Sequence, residues 1–396
     1  MFSKLLKVAR SISGLVFPAV LYYFSYITPR FKSIWVIGNR LGQNYLDNPK
    51  YLYEYVNSYE TKIKAIWLTT NDQVYDYLKN QGLSVYKTYS LWGYFYSLIA
   101  QVALISVVRR DINQYCIAGA QKITLHHGTY LKLNTPDQET PWLKRLIYPY
   151  NQEYFDYGFV TFRDEISFNH YHINNHLIPD HIIVTGYPRN DVFFTKKPSH
   201  EKFPYKRVIL YAPTFRNTFF DKEYDLFFKY GWDTKKIDKI LKLHDATLII
   251  KLHFHHKVSQ QFVNSLARSQ RVILYNTDDP IEDNYVLFKN TEILITDYSS
   301  LYFDYLLLDR PIIFSPFDYD YYKSVDCSFS YDYHEVTPGP KAKDWPEVYK
   351  YLTSVLSGKD LYRAQRHKIR NRFNTYRDGK SAQRVTREIK SIIDLV

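Results

Sequence analysis

The sequence predicts an α/β protein of two doubly wound parallel sheets facing a cleft, and three observations carry that prediction. Short apolar runs alternate with longer stretches of helical period, which is the pattern of βαβ units. The runs fall into two sets separated by Thr195–Pro204, TKKPSHEKFP, a polar segment with two prolines and no apolar periodicity. The 396 residues are too many for one core of ordinary size and suit two.

Taken in order, Lys4, Lys7 and Arg10 precede an aromatic, apolar run from about Ile12 to Ile27 that Pro18 interrupts. No small-residue cleavage site follows it, and it is shorter than the roughly 20 residues of a membrane span. It reads as a basic, aromatic helix lying in a membrane interface, or as a first helix packed on the core. Strands are expected at Ser33–Gly38, Ala65–Thr69, Val102–Val108, Lys122–His126, Tyr157–Thr161 and Ile182–Thr185, then at Arg207–Tyr211, Thr247–Lys251, Val272–Tyr275, Ile293–Thr296 and Pro311–Phe314. Leu91–Val108 is long enough to span a bilayer, but its β-branched end predicts a helix followed by a buried strand. The organisation expected is a membrane-associating segment over 1–28, an N-terminal domain over 29–195 and a C-terminal domain over 196–396.

The formal net charge of +12 favours a polyanionic partner: nucleic acid, anionic lipid or a phosphate-rich substrate. Two cysteines, Cys116 and Cys327, lie far apart without CxxC spacing, which argues against a disulfide scaffold or a zinc site. No GxxxxGK[ST] loop, GxGxxG turn after the first strand or GxSxG elbow occurs. That counts against a P-loop ATPase, a dinucleotide-dependent dehydrogenase and an α/β-hydrolase.

Five motifs follow strand patterns. In LHHGTYLK, His127 stands at a strand's carboxyl edge beside Gly128, Thr129 and Lys132, where an imidazole can accept a proton from a hydroxyl. In TGYPRND, Gly and Pro mark a tight turn after a strand, with Arg189 and Asp191 held close to it. YAPTFR presents Thr214 and Arg216, and Arg suits bidentate contact with phosphate. In IIKLHFHH, alternation places Lys251, His253 and His255 on one side. Without a nearby carboxylate or cysteine that cluster points to phosphate contact and proton handling before metal. In ITDYSSLYFDY a strand gives way to Thr296, Asp297, Ser299 and Ser300, which cap a following helix or receive a phosphate at its N-terminus. Each motif also has a purely structural reading: a satisfied histidine, a turn, a surface arginine or a helix cap.

Their order is more telling than any one of them. The series HGT-x-LK, GYPRND, YAPTFR, K-x-H, TDYSSLYFDY, DRPIIF and DGKSAQRV, from about His127 to Val385, resembles the CDP-glycerol glycerophosphotransferase family, which builds teichoic acids and related capsular polymers. The resemblance implies two Rossmann-like domains of GT-B type. It implies His127 and His253 as the catalytic histidines and donor contacts at Arg216, Lys251, Thr296, Asp297, Ser299, Ser300 and Gly339. Acceptor or structural support falls on Gly128, Thr129, Lys132, Arg189, Asp191 and Asp304. Tyr130, His126 and the Phe254-His255-His256 run depart from the family's usual residues, on the side expected to meet the acceptor.

The activity so implied moves a glycerol-phosphate or related polyol-phosphate unit from CDP-glycerol or another CDP-polyol to a polymer hydroxyl, releasing CMP. The acceptor expected is lipid-linked or polymeric and phosphate-rich. The protein would lie peripherally on an anionic membrane surface, at the cytoplasmic face where nucleotide-activated donors are made. No cofactor is implied, and a divalent metal is left open. The rival enzyme reading is a GT-B glycosyltransferase using a nucleotide sugar. A basic nucleic-acid-binding protein is the rival from another class, and no nucleic-acid motif supports it.

Overall fold

The computed structural model describes residues 17–106, 108–132, 148–151, 155–165, 177–195, 207–216, 225–252, 256, 258–275, 279–326 and 328–395. His253, His255, Cys327, most of the expected linker and the basic cluster Lys4, Lys7 and Arg10 lie outside the described residues.

The first sheet comprises β1 (Phe31–Ile37), β2 (Lys64–Thr69), β3 (Val85–Lys87), β4 (Ala100–Ile105), β5 (Gln121–Thr124), β6 (Tyr157–Val160) and β7 (Ile182–Val184). All its pairings are parallel, in the order β3-β2-β1-β4-β5-β6-β7. The second comprises β8 (Arg207–Tyr211), β9 (Ala246–Ile250), β10 (Val272–Leu274), β11 (Thr291–Thr296) and β12 (Ile312–Phe314), parallel in the order β10-β9-β8-β11-β12. Central strands such as β9 are buried along their whole length, as parallel strands covered on both faces must be. The winding reverses between β1 and β4 and again between β8 and β11. Ligands of such sheets bind beyond the carboxyl ends of the strands at these reversals.

Every expected strand is present within a few residues. The edge strand β3 was not foreseen, and the strand expected from Val102 begins at Ala100 and ends at Ile105. Helices that position the site include α1 (Asp47–Tyr59), α2 (Asp72–Asn80) and α3 (Leu91–Ile99) on the first sheet. On the second are α4 (Thr234–Leu243), α5 (Gln260–Leu266), α6 (Asn284–Asn290), α7 (Leu301–Tyr305), α8 (Trp345–Leu356) and α9 (Arg363–Phe373). Local chemistry starts several of them: Asn71 caps α2, Ser90 caps α3 and Asp233 caps α4, each accepting a hydrogen bond from the first turn.

The division at residue 196 needs one correction. The last helix, α10 (Ser381–Ile392), returns to the first sheet. Its apolar face, Ala382, Val385 and Ile389, joins Trp35, Tyr53, Val56 and Trp67 in one core. Residues after 196 are therefore shared between the two sheets.

The two halves also touch directly. Tyr45 N–H donates to Pro280 O at 2.8 Å, Ser330 N–H to Leu131 O at 2.9 Å and Thr375 N–H to Thr161 O at 3.0 Å. Lys50 Nζ and Tyr51 Oη both reach Asp283 Oδ2, at 2.8 and 2.6 Å. At the amino end, residues 17–24 are helical. Tyr22 packs with Ala118 and Tyr150, whereas Phe17, Val20, Phe24 and Ile27 are exposed. No helix among the described residues is long and apolar enough to cross a membrane.

Candidate active site

The chain leaves β5 through Leu125 and His126 and turns at Gly128. His126 is buried, and burial together with the neighbouring His127 pushes its imidazole down to about 3, so it stays neutral. His127 is the open member of the pair, its side chain 51% exposed, with Nδ1 3.7 Å from Asp47 Oδ2. Gly128 has φ +147°, and a Cβ there would stand 3.2 Å from Arg189 Nη2 and 3.6 Å from Ser300 Oγ. The turn that follows β5 in the first domain therefore meets the turn that follows β11 in the second.

Arg189 lies beneath this junction. Its Nη1 donates to Asp47 Oδ1 at 2.6 Å and to the carbonyl of His127 at 2.8 Å, while Nη2 donates to Asp304 Oδ2 at 2.6 Å. Asp304 also accepts from Asn190 Nδ2 at 2.9 Å and from Tyr285 Oη at 2.7 Å. Burial favours a neutral Asp47, but the Arg189 guanidinium and the His127 ring outweigh it and hold the carboxyl well below the usual carboxylate range. Asn48 completes the arrangement. Its Nδ2 donates to the carbonyls of Leu125 and His126, both at 3.0 Å, and its Oδ1 accepts from Arg189 N–H at 3.2 Å.

The donor-side motifs flank the reversal of the second sheet, YAPTFR after β8 and TDYSS after β11. Within them Arg216, Thr296 and Asp297, from which direct phosphate contacts are expected, are turned toward protein partners. Arg216 is fully covered: Nη1 lies 2.7 Å from Asp297 Oδ2, and Nη2 lies 2.9 Å from Asp318 Oδ1. Asp297 Oδ1 accepts from the amides of Thr214 and Tyr298 at 2.7 and 2.6 Å, and Thr296 Oγ1 donates to Ala212 O at 2.7 Å. These three residues build the floor of the two loops. Gly339 is likewise buried: a Cβ there would fall 2.2 Å from Ile312 O, so close packing under β12 demands the glycine.

What remains open at this edge is different. Ser299 and Ser300 are half-buried just before the five-residue helix α7. Lys251 is half-buried at the end of β9, with its Nζ 5.4 Å from the Tyr275 ring centroid. Among the described residues, Thr214 Oγ1 and both ring nitrogens of His256 are buried without a hydrogen-bond partner. Burial and the nearby Arg216 push His256 down to about 4. Unsatisfied buried polar groups clustered beyond the strand ends are what a polar ligand would complete.

The supporting residues are structural in their contacts. Thr129 is buried with Oγ1 3.2 Å from Thr161 Oγ1. Asp191 accepts from the amides of Ser381 and Ala382, both at 2.8 Å, and so caps the return helix α10. Lys132 pairs with Phe329 of the second domain in an isolated antiparallel bridge. Sequence reasoning missed Asp47 and Asn48, whose only local signal was the start of a helix at Asp-Asn-Pro.

Known proteins agree with this architecture. The wall teichoic acid polymerase TagF superposes with a TM-score of 0.73 at 23% identity, covering 100% of this chain and 98% of that one, which shows a shared GT-B-like fold. The teichoic acid poly(glycerol phosphate) polymerase of Staphylococcus epidermidis is 27% identical over 367 residues, 86% of this chain and 48% of that protein, so the chain spans about half its length. The teichoic acid glycerol-phosphate transferase of Staphylococcus aureus is 26% identical over 367 residues, 88% of this chain and 90% of that protein. The family described as CDP-Glycerol:Poly(glycerophosphate) glycerophosphotransferase matches residues 21–391. Nearly the whole chain, including both sheets and the loops that bring His127 to Ser300, thus belongs to that family of transferases.

Proposed function

We propose that the protein transfers a glycerol-phosphate or related polyol-phosphate unit from a CDP-activated donor to a hydroxyl of a growing teichoic-acid-like polymer. The observation that carries the reading is His127, half-exposed at the junction of the two domains, a turn away from Ser300. In the reaction the acceptor oxygen forms a bond to the β-phosphorus, and the bond from that phosphorus to the bridging oxygen breaks. CMP leaves with the oxygen, and the acceptor's proton passes to His127. The reading assigns Ser299, Ser300, Lys251 and Thr214 to the diphosphate, and His253 by the motif alone. Arg216 acts indirectly, by fixing the loops. Such chemistry rests on positioning and electrostatic stabilisation.

The same reading places the protein on the cytoplasmic face of the membrane, where CDP-activated donors and a lipid-linked acceptor meet. Its support is the exposed set Phe17, Val20, Phe24 and Ile27, preceded in sequence by Lys4, Lys7 and Arg10.

The test offers purified protein CDP-glycerol, CDP-ribitol and UDP-sugars with a polymeric acceptor, and identifies the nucleotide released. CMP from a CDP-polyol, with extension of the acceptor, is expected. UDP released from a sugar donor, and no CMP, would establish the glycosyltransferase instead.

A further inference from the structure

Asp47 stands in a backbone conformation uncommon outside glycine, though Asp and Asn adopt it more readily than other residues. Its φ is +65°, in the left-handed region, at the first residue of α1. Such conformations persist where the surroundings over-determine them, and they gather at functional positions. Here the surroundings are specific. Oδ1 accepts from the adjoining amide of Asn48 at 2.7 Å and from Arg189 Nη1 at 2.6 Å, while Oδ2 faces Nδ1 of His127 at 3.7 Å. Asn48 meanwhile grips the backbone at Leu125 and His126. One dipeptide thus holds both the histidine ring and the chain that carries it.

Around His127 stand Asp47 from α1, Arg189 from the turn after β7 and the neutral His126 on its own loop, with Asp304 and Tyr285 behind Arg189. Arg189 is shared between two carboxylates, so the group Asp47–Arg189–Asp304 carries one surplus negative charge. Its side chains are 17%, 5% and 1% exposed, which leaves little water to screen that charge. A carboxylate facing Nδ1 has two effects on an imidazole. It favours the tautomer with the proton on Nδ1, leaving the Nε2 lone pair free, and it stabilises the imidazolium formed when Nε2 takes a proton.

We propose that Asp47 is a positioning residue for the transfer reaction: its carboxylate holds Nδ1–H of His127, turns Nε2 toward the cleft and stabilises the charge the ring acquires from the acceptor. The 3.7 Å separation lies just beyond hydrogen-bond reach, and apo sites commonly tighten to a hydrogen bond when substrate binds. The inference rests on His127 being the base.

Asp47→Asn keeps an oxygen for Arg189 and for the Asn48 amide and removes the charge. The expected result is a fall in kcat of roughly 10²–10⁴-fold with KM little changed. The acidic limb of the kcat/KM profile should move to lower pH. A carboxylate that merely anchored Arg189 would lower the unfolding midpoint and leave that limb in place, and this outcome overturns the proposal. A second measurement needs no variant of Asp47. Nitrogen-15 spectra of the wild-type protein, with His127→Ala to assign the ring, should show neutral His127 protonated on Nδ1, and a proton found on Nε2 overturns the proposal even if Asp47→Asn does not fold. Activity of His127→Ala separates the two levels. Normal transfer there removes the base assignment itself, whereas an inactive His127→Ala beside a fully active Asp47→Asn removes only the positioning role.

Discussion

Arg189 Nη2 lies 2.6 Å from Asp304 Oδ2, joining a residue of the first sheet's loops to one on α7 of the second. Both side chains are almost entirely covered, at 5% and 1% exposure. The pair crosses the cleft directly under the turn that carries His127. Its geometry fixes how far apart the two domains' loops can stand.

The first prediction concerns that pair. Arg189→Ala strands two carboxylates, Asp47 and Asp304, in a nearly dry interface. Breaking a buried pair from one side costs about 3–5 kcal/mol. Denaturant unfolding should show a loss of this size, and Arg189→Lys should recover only part of it, because an ammonium lacks the fork that spans both carboxylates. A wild-type unfolding midpoint in Arg189→Ala would mean that the interface admits enough water to make the network dispensable.

The second prediction separates floor from lining on the donor side. Arg216→Ala leaves Asp297 and Asp318 buried without their cation and should destabilise the second domain by about 3–5 kcal/mol. Nucleotide binding would be lost with the loops. Ser299→Ala and Ser300→Ala should change the unfolding free energy by no more than about 0.5 kcal/mol, since neither side chain belongs to a core or a buried ion pair. Each should weaken donor binding by about 1 kcal/mol, the scale of one hydrogen bond. Calorimetry with CDP-glycerol, paired with urea unfolding, checks both. A stable Arg216→Ala that has lost only donor affinity would restore the direct contact first expected of that residue.

Much of this architecture was legible in the sequence because buried parallel strands are written as compact apolar, β-branched runs, such as ILI before the TDYSS turn. The edge strand Val85–Lys87 was not, since three residues carry no readable alternation. The return of α10 escaped for a related reason: an amphipathic helix reveals that it has an apolar face but not which sheet the face covers. Within the site, His127 was marked by its neighbour Gly128, whereas Asp47 lies 80 positions earlier and becomes its partner only when α1 packs beside β5. The YAPTFR motif signalled that Arg216 mattered. It could not signal direction, because the second carboxylate that draws the guanidinium inward, Asp318, is 102 residues away.

The third prediction concerns the membrane. Each Lys or Arg near an anionic surface contributes about 1 kcal/mol, and salt screens it. The described part of the segment is not all free: Tyr22 is buried, and Ser25 Oγ accepts from Ala118 N–H at 3.0 Å. The informative variant is therefore removal of residues 1–16 together with Phe24→Ser, which spares the packed side. Cells expressing the full chain should retain it on membranes through a low-salt wash and release it in part at high salt, and the variant should be found largely in the soluble fraction. Full-length protein that is soluble without any wash would remove the anchor.

The last prediction is a pH dependence. Glu165 is enclosed behind the site: Oε2 accepts from Thr161 N–H and Oγ1, both at 3.1 Å, and Oε1 accepts from Tyr187 Oη at 3.3 Å. Burial pushes its carboxyl up to about 7, against 4.5 for the ordinary side chain, and the three hydrogen bonds only partly oppose this. Between those two values the native state holds a proton that the unfolded chain has released. Stability from this group is thus complete below about pH 4.5, falls as pH rises and is lost above about pH 7, a total of about 3 kcal/mol. Asp47, Asp309, Asp360 and Asp378, all held below the ordinary carboxylate range, act in the opposite sense and lose their contribution as pH falls. The wild-type curve mixes both trends, so the measurement is a difference. Glu165→Gln stays neutral throughout, and wild-type stability minus variant stability should decline between pH 4.5 and 7.5. A difference that stays constant across that interval would show that Glu165 is ionised in the native protein, with water reaching the space between Thr161 and Tyr187.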